Sequence, residues 1–322
     1  MEERLVNILN EMAEYLNVAQ LKKLQEVMLK NLAPNQAVKQ EITNAQYLKL
    51  FIDAKKIEGC SERTLKYYRT TVEHMLSRIT VPIRKMSTDD IRAYLVEYQQ
   101  NGQCGKVTID NIRRNISSFF SWLEEEDYIL KSPMRRIHKI KTKTVVKDVI
   151  SDESMERMRD ACGEMRDLAI IDLLYSTGIR VGELVRLNIA DVNLEQRECI
   201  VFGKGDKERR VYFDAKAKVH LMEYLASRTD SNPALFVTLN APHARLKISG
   251  VEIRLRSLGR KLALERIHPH KFRRTMATRA IDKGMPIEQV QKILGHSQID
   301  TTMQYAIVNQ INVKTSHRKF IA

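Results

Sequence analysis

Hydrophobic positions in the first half of the chain recur at helical spacing. Leu5, Ile8, Leu9, Met12 and Leu16 fall on one face, and Leu21, Leu24, Val27 and Met28 form a second run. Pro34 and Asn35 interrupt the pattern. It resumes through Tyr47, Leu48, Phe51 and Ile52. Gly59 stops that run, and Ser61 can cap the next, whose face is Leu65, Tyr68, Val72, Met75, Leu76 and Ile79. Ser87 or Thr88 caps a helix carrying Ile91, Tyr94, Leu95 and Tyr98. After a loop at Gly102 and Gly105, a long helix runs through Ile109, Ile112, Ile116, Phe119, Phe120 and Leu123. These runs predict a helical bundle over 41–130, preceded by a helical arm over 1–40. Phe119, Phe120 and Trp122 suit the core of that bundle better than a base-stacking platform.

The pattern then changes. Lys131 to Lys147 holds seven basic residues and no acidic one, its apolar residues lack helical spacing, and Ser132-Pro133 disfavours helix. Residues 131–150 read as a basic linker, either a solvated tether or one lying along phosphates. Beyond it, Ser151 begins a helix and Leu168 to Tyr175 is a buried one. A helix over 180–187 follows Gly178. Glu198 to Phe202 and Arg209 to Phe213 alternate as two strands, joined by Gly203-Lys204-Gly205-Asp206-Lys207-Glu208. Helices recur near 214–228, 249–264, 271–283, 286–294 and 300–306. The fold class is mainly α with a small antiparallel β-sheet in the second half, an α+β arrangement over 151–322.

Composition narrows the choice. The 322 residues are 43% hydrophobic, enough for real cores, and 54 basic against 40 acidic residues leave a formal charge of +14. Such an excess does not build a fold; it draws polyanions to a surface. Both halves share it, with 25 basic and 19 acidic residues over 1–150. No stretch approaches the ~18–20 consecutive apolar residues of a membrane span, and Met1 to Leu5 lacks an apolar signal core. Cys60, Cys104, Cys162 and Cys199 form no CxxC pair, so they read as incidental thiols of a reducing, cytoplasmic compartment.

Six polar positions after residue 151 stand out. Arg180 follows a glycine turn in Ser176-Thr177-Gly178-Ile179-Arg180-Val181-Gly182-Glu183-Leu184, and Lys204 sits in the hairpin turn. His270 and Arg273 share a helical face in His268-Pro269-His270-Lys271-Phe272-Arg273-Arg274-Thr275. His296 follows Gly295, and Tyr305 lies nine residues on. Each has a plain alternative: an Arg180–Glu183 surface ion pair, a solvated turn lysine, a helix cap, a half-buried packing tyrosine. His268, His270 and His296 lack the companions of a familiar metal-ligand spacing, so no metal and no cofactor are expected. Together the six share one logic. Two arginine forks can hold phosphate oxygens and stabilise the charge of a transition state without a metal. A phenol of ordinary pKa about 10 needs such a field, or a base, to act as a nucleophile. His270 can take a proton, Lys204 can give one, and His296 can donate a hydrogen bond.

These motifs resemble the tyrosine recombinases of the phage-integrase family, and in size and layout the Xer-type members. They are Thr177 to Leu184, Gly203-Lys204-Gly205-Asp206-Lys207-Glu208-Arg209, His268 to Thr275, and Leu294-Gly295-His296-Ser297-Gln298-Ile299-Asp300-Thr301-Thr302-Met303-Gln304-Tyr305, in family order. The resemblance is strong over 151–322, as a catalytic domain, and weaker over 41–130, as a core-binding domain. It implies that Tyr305 attacks a DNA phosphate to give a 3′-phosphotyrosyl adduct. Arg180, Arg273 and His296 would hold the phosphate, His270 would serve the tyrosine's proton, and Lys204 would protonate the 5′-hydroxyl. Arg274 stands where many members carry a second histidine, and Glu183 is expected to orient the Arg180 helix.

The family clamps DNA between its two domains, so basic residues elsewhere are candidate phosphate contacts. They are Arg63, Lys66 and Arg69; Lys106, Arg113 and Arg114; Arg135, Arg136, Lys139 and Lys141; Lys207 and Arg209; and Arg245, Lys247, Arg254 and Arg256. The apolar tail 306–322 is expected, from the resemblance, to dock on a neighbouring protomer in a tetramer on two DNA sites. The alternatives are a type IB topoisomerase with the same phosphotyrosine chemistry, and a catalytically idle DNA-binding protein on the same fold.

Overall fold

The computed structural model describes residues 2–32, 42–102, 104–141, 148–203, 208–296, 298–303 and 305, in two compact units, Met1–Thr144 and Val145–Ala322. In the first unit, α1 (Glu2–Met12) and α2 (Val18–Leu32) form the arm. The bundle is α3 (Asn44–Ile57), α4 (Glu62–Arg78), α5 (Thr88–Asn101) and α6 (Lys106–Glu125). Local chemistry sets their starts. Thr43 with Gln46 and Ser87 with Asp90 form reciprocal capping boxes, and Ser61 accepts from the Thr64 amide. The core is aromatic. Phe51, Phe119 and Phe120 are fully buried, Phe51 meets Phe119 edge to face at 5.2 Å, and Trp122 packs beside them.

The segment expected as a linker starts later than its composition indicates. Met134 is buried in the bundle core, with Ile137 and Ile140 packed against it. Asp110, on α6, accepts from the Ile140 amide at 3.0 Å and from Arg113 at 2.9 Å. Residues 131–141 therefore belong to the first unit. Their apolar residues fit no helical period because they lie as a strap across the bundle.

The second unit is built around α8 (Met165–Thr177), following α7 (Asp152–Ala161). Ala169, Ile170, Ile171, Leu173 and Leu174 are all buried, so α8 is apolar nearly all round, as a central helix must be. Its buried Asp172 is held by Arg159 at 2.7 Å and by His220. The one-turn α9 (Val181–Leu184) replaces the longer helix expected over 180–187. Strands β1 (Val192–Asn193), β2 (Glu198–Phe202) and β3 (Glu208–Tyr212) form an antiparallel sheet in that order. Cys199 pairs with Val211 and Val201 with Arg209, and alternation sends Cys199, Val201 and Val211 into the core. Helices α10 (Ala215–Ala226), α11 (Ile248–Lys261), α12 (Pro269–Asp282), α13 (Ile287–Leu294) and α14 (Ile299–Met303) complete the unit. The hairpin tip 204–207 and the tail 306–322 lie outside the described residues.

Candidate active site

Two helices end alike and thereby build the site. Gly178 closes α8 at φ +63° and Gly295 closes α13 at φ +64°, both left-handed turns that favour glycine. Each turn delivers a predicted residue shortly afterwards, Arg180 after one and His296 after the other. Each also leaves helix-end carbonyls pointing outward, at the negative end of a helix dipole. Arginines satisfy them. Arg273 donates to the Gly178 carbonyl at 2.7 Å and the Leu294 carbonyl at 2.6 Å. Arg180 donates to the Gly295 carbonyl at 3.2 Å, and Arg209 to the Ile293 carbonyl at 2.8 Å.

Arg273 is only 3% exposed. It is set by Pro269, which starts α12 with a preformed helical angle, and by Phe272 and Thr275, which bury that face. Burial, then the neighbouring Arg180, draws its pKa down to about 10, still a cation at neutral pH. Arg180 caps α9. Its amide donates to Glu183 at 2.8 Å and its guanidinium to the same carboxylate at 2.9 Å. Burial opposes ionisation of Glu183, but the Arg209 fork and the Arg180 amide outweigh it and hold the carboxyl below its ordinary range.

His296 sits between these cations. Arg273 donates to its Nε2 at 2.9 Å, so Nε2 accepts, and Nδ1 carries the hydrogen facing the Thr302 hydroxyl at 2.8 Å. Burial first, then Arg273, Arg180 and Arg209, push its pKa down to about 4. At neutral pH it is an uncharged imidazole turned toward Arg273. Donating to a phosphate, as expected from sequence, requires a proton on Nε2. The folded pKa lies below the unfolded value, so folded protein binds fewer protons between about pH 6.5 and 4, and stability falls as pH drops through that window. His296→Gln removes this dependence. Its melting temperature should fall less between pH 7 and pH 5 than that of the unchanged protein; equal slopes would contradict the assignment.

Tyr305 lies 6.1 Å from His296, ring centroid to centroid, with the rings 30° apart. It is half-buried and packs against the cluster of Ala277, Val290 and Leu294. Arg180, Arg273, His296 and Tyr305 are thus gathered at one place. His270 lies exposed one turn before Arg273 on α12, its ring 6.5 Å from that of His268. Lys204 and Lys207 fall outside the described residues. Arg274 donates to the Asp148 carbonyl, and the Ile150 amide donates to Thr275 at 2.9 Å, stitching the start of the second unit to α12.

The expected phosphate contacts divide. Arg63, Lys66, Arg69, Lys106, Arg136, Lys139, Lys141, Lys247 and Arg256 are exposed. Arg114, Arg135 and Arg254 are also exposed but pair with Asp110, Glu124 and Asp167. Three turn inward instead. Arg113 is held by Asp110, and Arg245 donates to the Val185 and Leu187 carbonyls at 3.0 Å, closing a bend after α9. Arg209 is 13% exposed and grips Glu183 through both carboxylate oxygens. A basic residue pointing into the fold satisfies buried acceptors first, which composition cannot reveal.

Residues 148–311, just over half the chain, match the phage integrase family, and residues 47–130 match the phage integrase N-terminal SAM-like domain. The tyrosine recombinase XerC of Thermodesulfovibrio yellowstonii is 31% identical over 283 residues, 83% of this chain and 94% of that protein. Among solved structures, the Tn1549 transposon integrase in complex with transposon right end DNA has a TM-score of 0.72 at 19% identity, covering 86% of this chain and 99% of that one. The XerH site-specific recombinase bound to palindromic difH substrate has a TM-score of 0.66 at 19% identity, covering 98% and 93%. The relatives carry the recombinase reading rather than the topoisomerase or non-catalytic alternatives. The chain belongs to the phage integrase family and is an Xer-like tyrosine recombinase, an enzyme of site-specific recombination.

Proposed function

We propose that this recombinase cleaves double-stranded DNA through Tyr305, with Arg180 and Arg273 as the phosphate clamp. The observation that carries the reading is the gathering of both guanidiniums and His296 at the end of α13, with the Tyr305 ring alongside. The Tyr305 oxygen forms a bond to phosphorus as the bond from phosphorus to the 5′ oxygen breaks. The phenolic proton passes to His270, and Lys204 supplies the proton that the departing 5′ oxygen takes up. The two arginines stabilise charge on the non-bridging oxygens. A phosphate arriving between them adds negative charge beside His296, favouring the Nε2 proton with which His296 then contacts it. The phosphodiester energy is retained in the adduct, so religation to a second strand needs no nucleotide, metal or cofactor.

DNA bound in the solved relatives supports a DNA partner for this chain. The exposed basic residues of α4 and of 135–141 suit backbone contact. Paired sites, a tetramer assembled by exchange of the 306–322 tail, a cytoplasmic setting and service to a mobile element complete the proposal. Supercoiled plasmids carrying one or two copies of the target site test it. Recombinant products only from two-site plasmids are expected, and relaxation of site-free plasmid at the same rate would return the topoisomerase reading.

A further inference from the structure

Arg209, on β3, is not among the six residues above, yet it contacts the carboxylate and the helix end that hold the clamp. Its two terminal nitrogens hold Glu183 at 2.8 and 2.7 Å, and its Nε reaches the Ile293 carbonyl at 2.8 Å. The bare Gly295 backbone lies against it: a Cβ at Gly295 would stand 3.0 Å from its Cδ and Nε. Glu183 is 3% exposed and takes four donors, two from Arg209 and two from Arg180. A lone Arg180–Glu183 contact would be a neutral pair, with the guanidinium drawn to the buried carboxylate. With Arg209 sharing that carboxylate the trio carries one net positive charge. It is carried outward by Arg180, whose side chain is 38% exposed while Arg209 and Glu183 are covered.

We propose that Arg209 is a positioning residue of the clamp: it neutralises Glu183, leaves the charge of Arg180 available to a phosphate, and fixes β3 to the end of α13. This rests on the recombinase reading above. The role is electrostatic, so it depends on the charge of the scissile phosphate. A methylphosphonate, in which a methyl group replaces one non-bridging oxygen, removes that charge and with it much of the need for the clamp.

The test is single-turnover cleavage of nicked suicide DNA carrying either a phosphodiester or a methylphosphonate at the scissile position. Arg209→Gln should slow phosphodiester cleavage by about 30-fold and methylphosphonate cleavage by less than about threefold, at unchanged DNA affinity. A ratio of the two rates equal to that of the unchanged protein would overturn the proposal. So would a loss explained by weaker DNA binding. Should Arg209→Gln fail to fold, Arg209→Lys carries the test, because it keeps the charge but cannot reach both carboxylate oxygens and Ile293 together. The ratio should then shift by about threefold, and an unchanged ratio again overturns the proposal. If the unchanged protein forms no adduct at all, the recombinase reading of Tyr305 fails instead.

Discussion

Tyr305→Phe should bind DNA as the unchanged protein does and form no covalent complex with nicked suicide DNA. The substitution removes one oxygen and leaves the ring, which packs against the buried cluster of Ala277, Val290 and Leu294. The Tyr305 amide donates to the Thr302 carbonyl at 2.9 Å, and that bond survives. The change is therefore nearly silent in stability, within about 0.5 kcal/mol. Chemistry has no substitute for the lost nucleophile, and the adduct should fall by more than about a thousandfold. Trapping on denaturing gels, with affinity measured in parallel, separates the two effects. Adduct persisting in Tyr305→Phe would assign the nucleophile elsewhere.

Arg273→Gln should show the opposite balance, with both cleavage and folding affected. A buried guanidinium here serves the Gly178 and Leu294 carbonyls and His296. Glutamine has two donors in a different place and no charge. Each helix-end carbonyl left without a donor costs roughly 1–3 kcal/mol. Part of this is recovered, because Arg273 is also repelled by Arg180 and Arg209, the same repulsion that helps lower its pKa to about 10. A net loss of about 2 kcal/mol is expected, visible as a lower melting temperature. Cleavage should fall by about 10³-fold or more, the range in which arginines stabilise phosphoryl-transfer charge. Single-turnover rates at saturating DNA, measured well below the melting temperature, check this. A cleavage rate within about tenfold of the unchanged protein would remove Arg273 from the clamp.

Local signals located most of the architecture. Capping serines and turn glycines act within a few residues, so Ser61, Ser87, Gly178 and Gly295 are readable in order, whereas α12, expected from about 271, starts at Pro269. The strand at 198–202 follows from alternation, and the second, expected over 209–213, lies one residue earlier at 208–212. The strap over 131–141 was less legible. Its basic surface dominates its composition, whereas Met134 and the Asp110–Ile140 bond decide its place. Arg113, Arg209 and Arg245 show the same limit. A sequence counts their charge but does not say whether it faces solvent or a buried acceptor.

The chain by itself determined the helical halves, the small sheet, and the residue types of the site, because spacing and caps are properties of neighbours. Tertiary structure alone decided that the carbonyls ending α8 and α13 share the guanidinium of Arg273, that Glu183 is divided between Arg180 and Arg209, and that His296 is held neutral. The Arg273–Gly178 bond alone joins positions 95 residues apart. These facts follow from the low polarity of a packed interior, where each charge and each unpaired carbonyl must find a partner wherever the chain brings one.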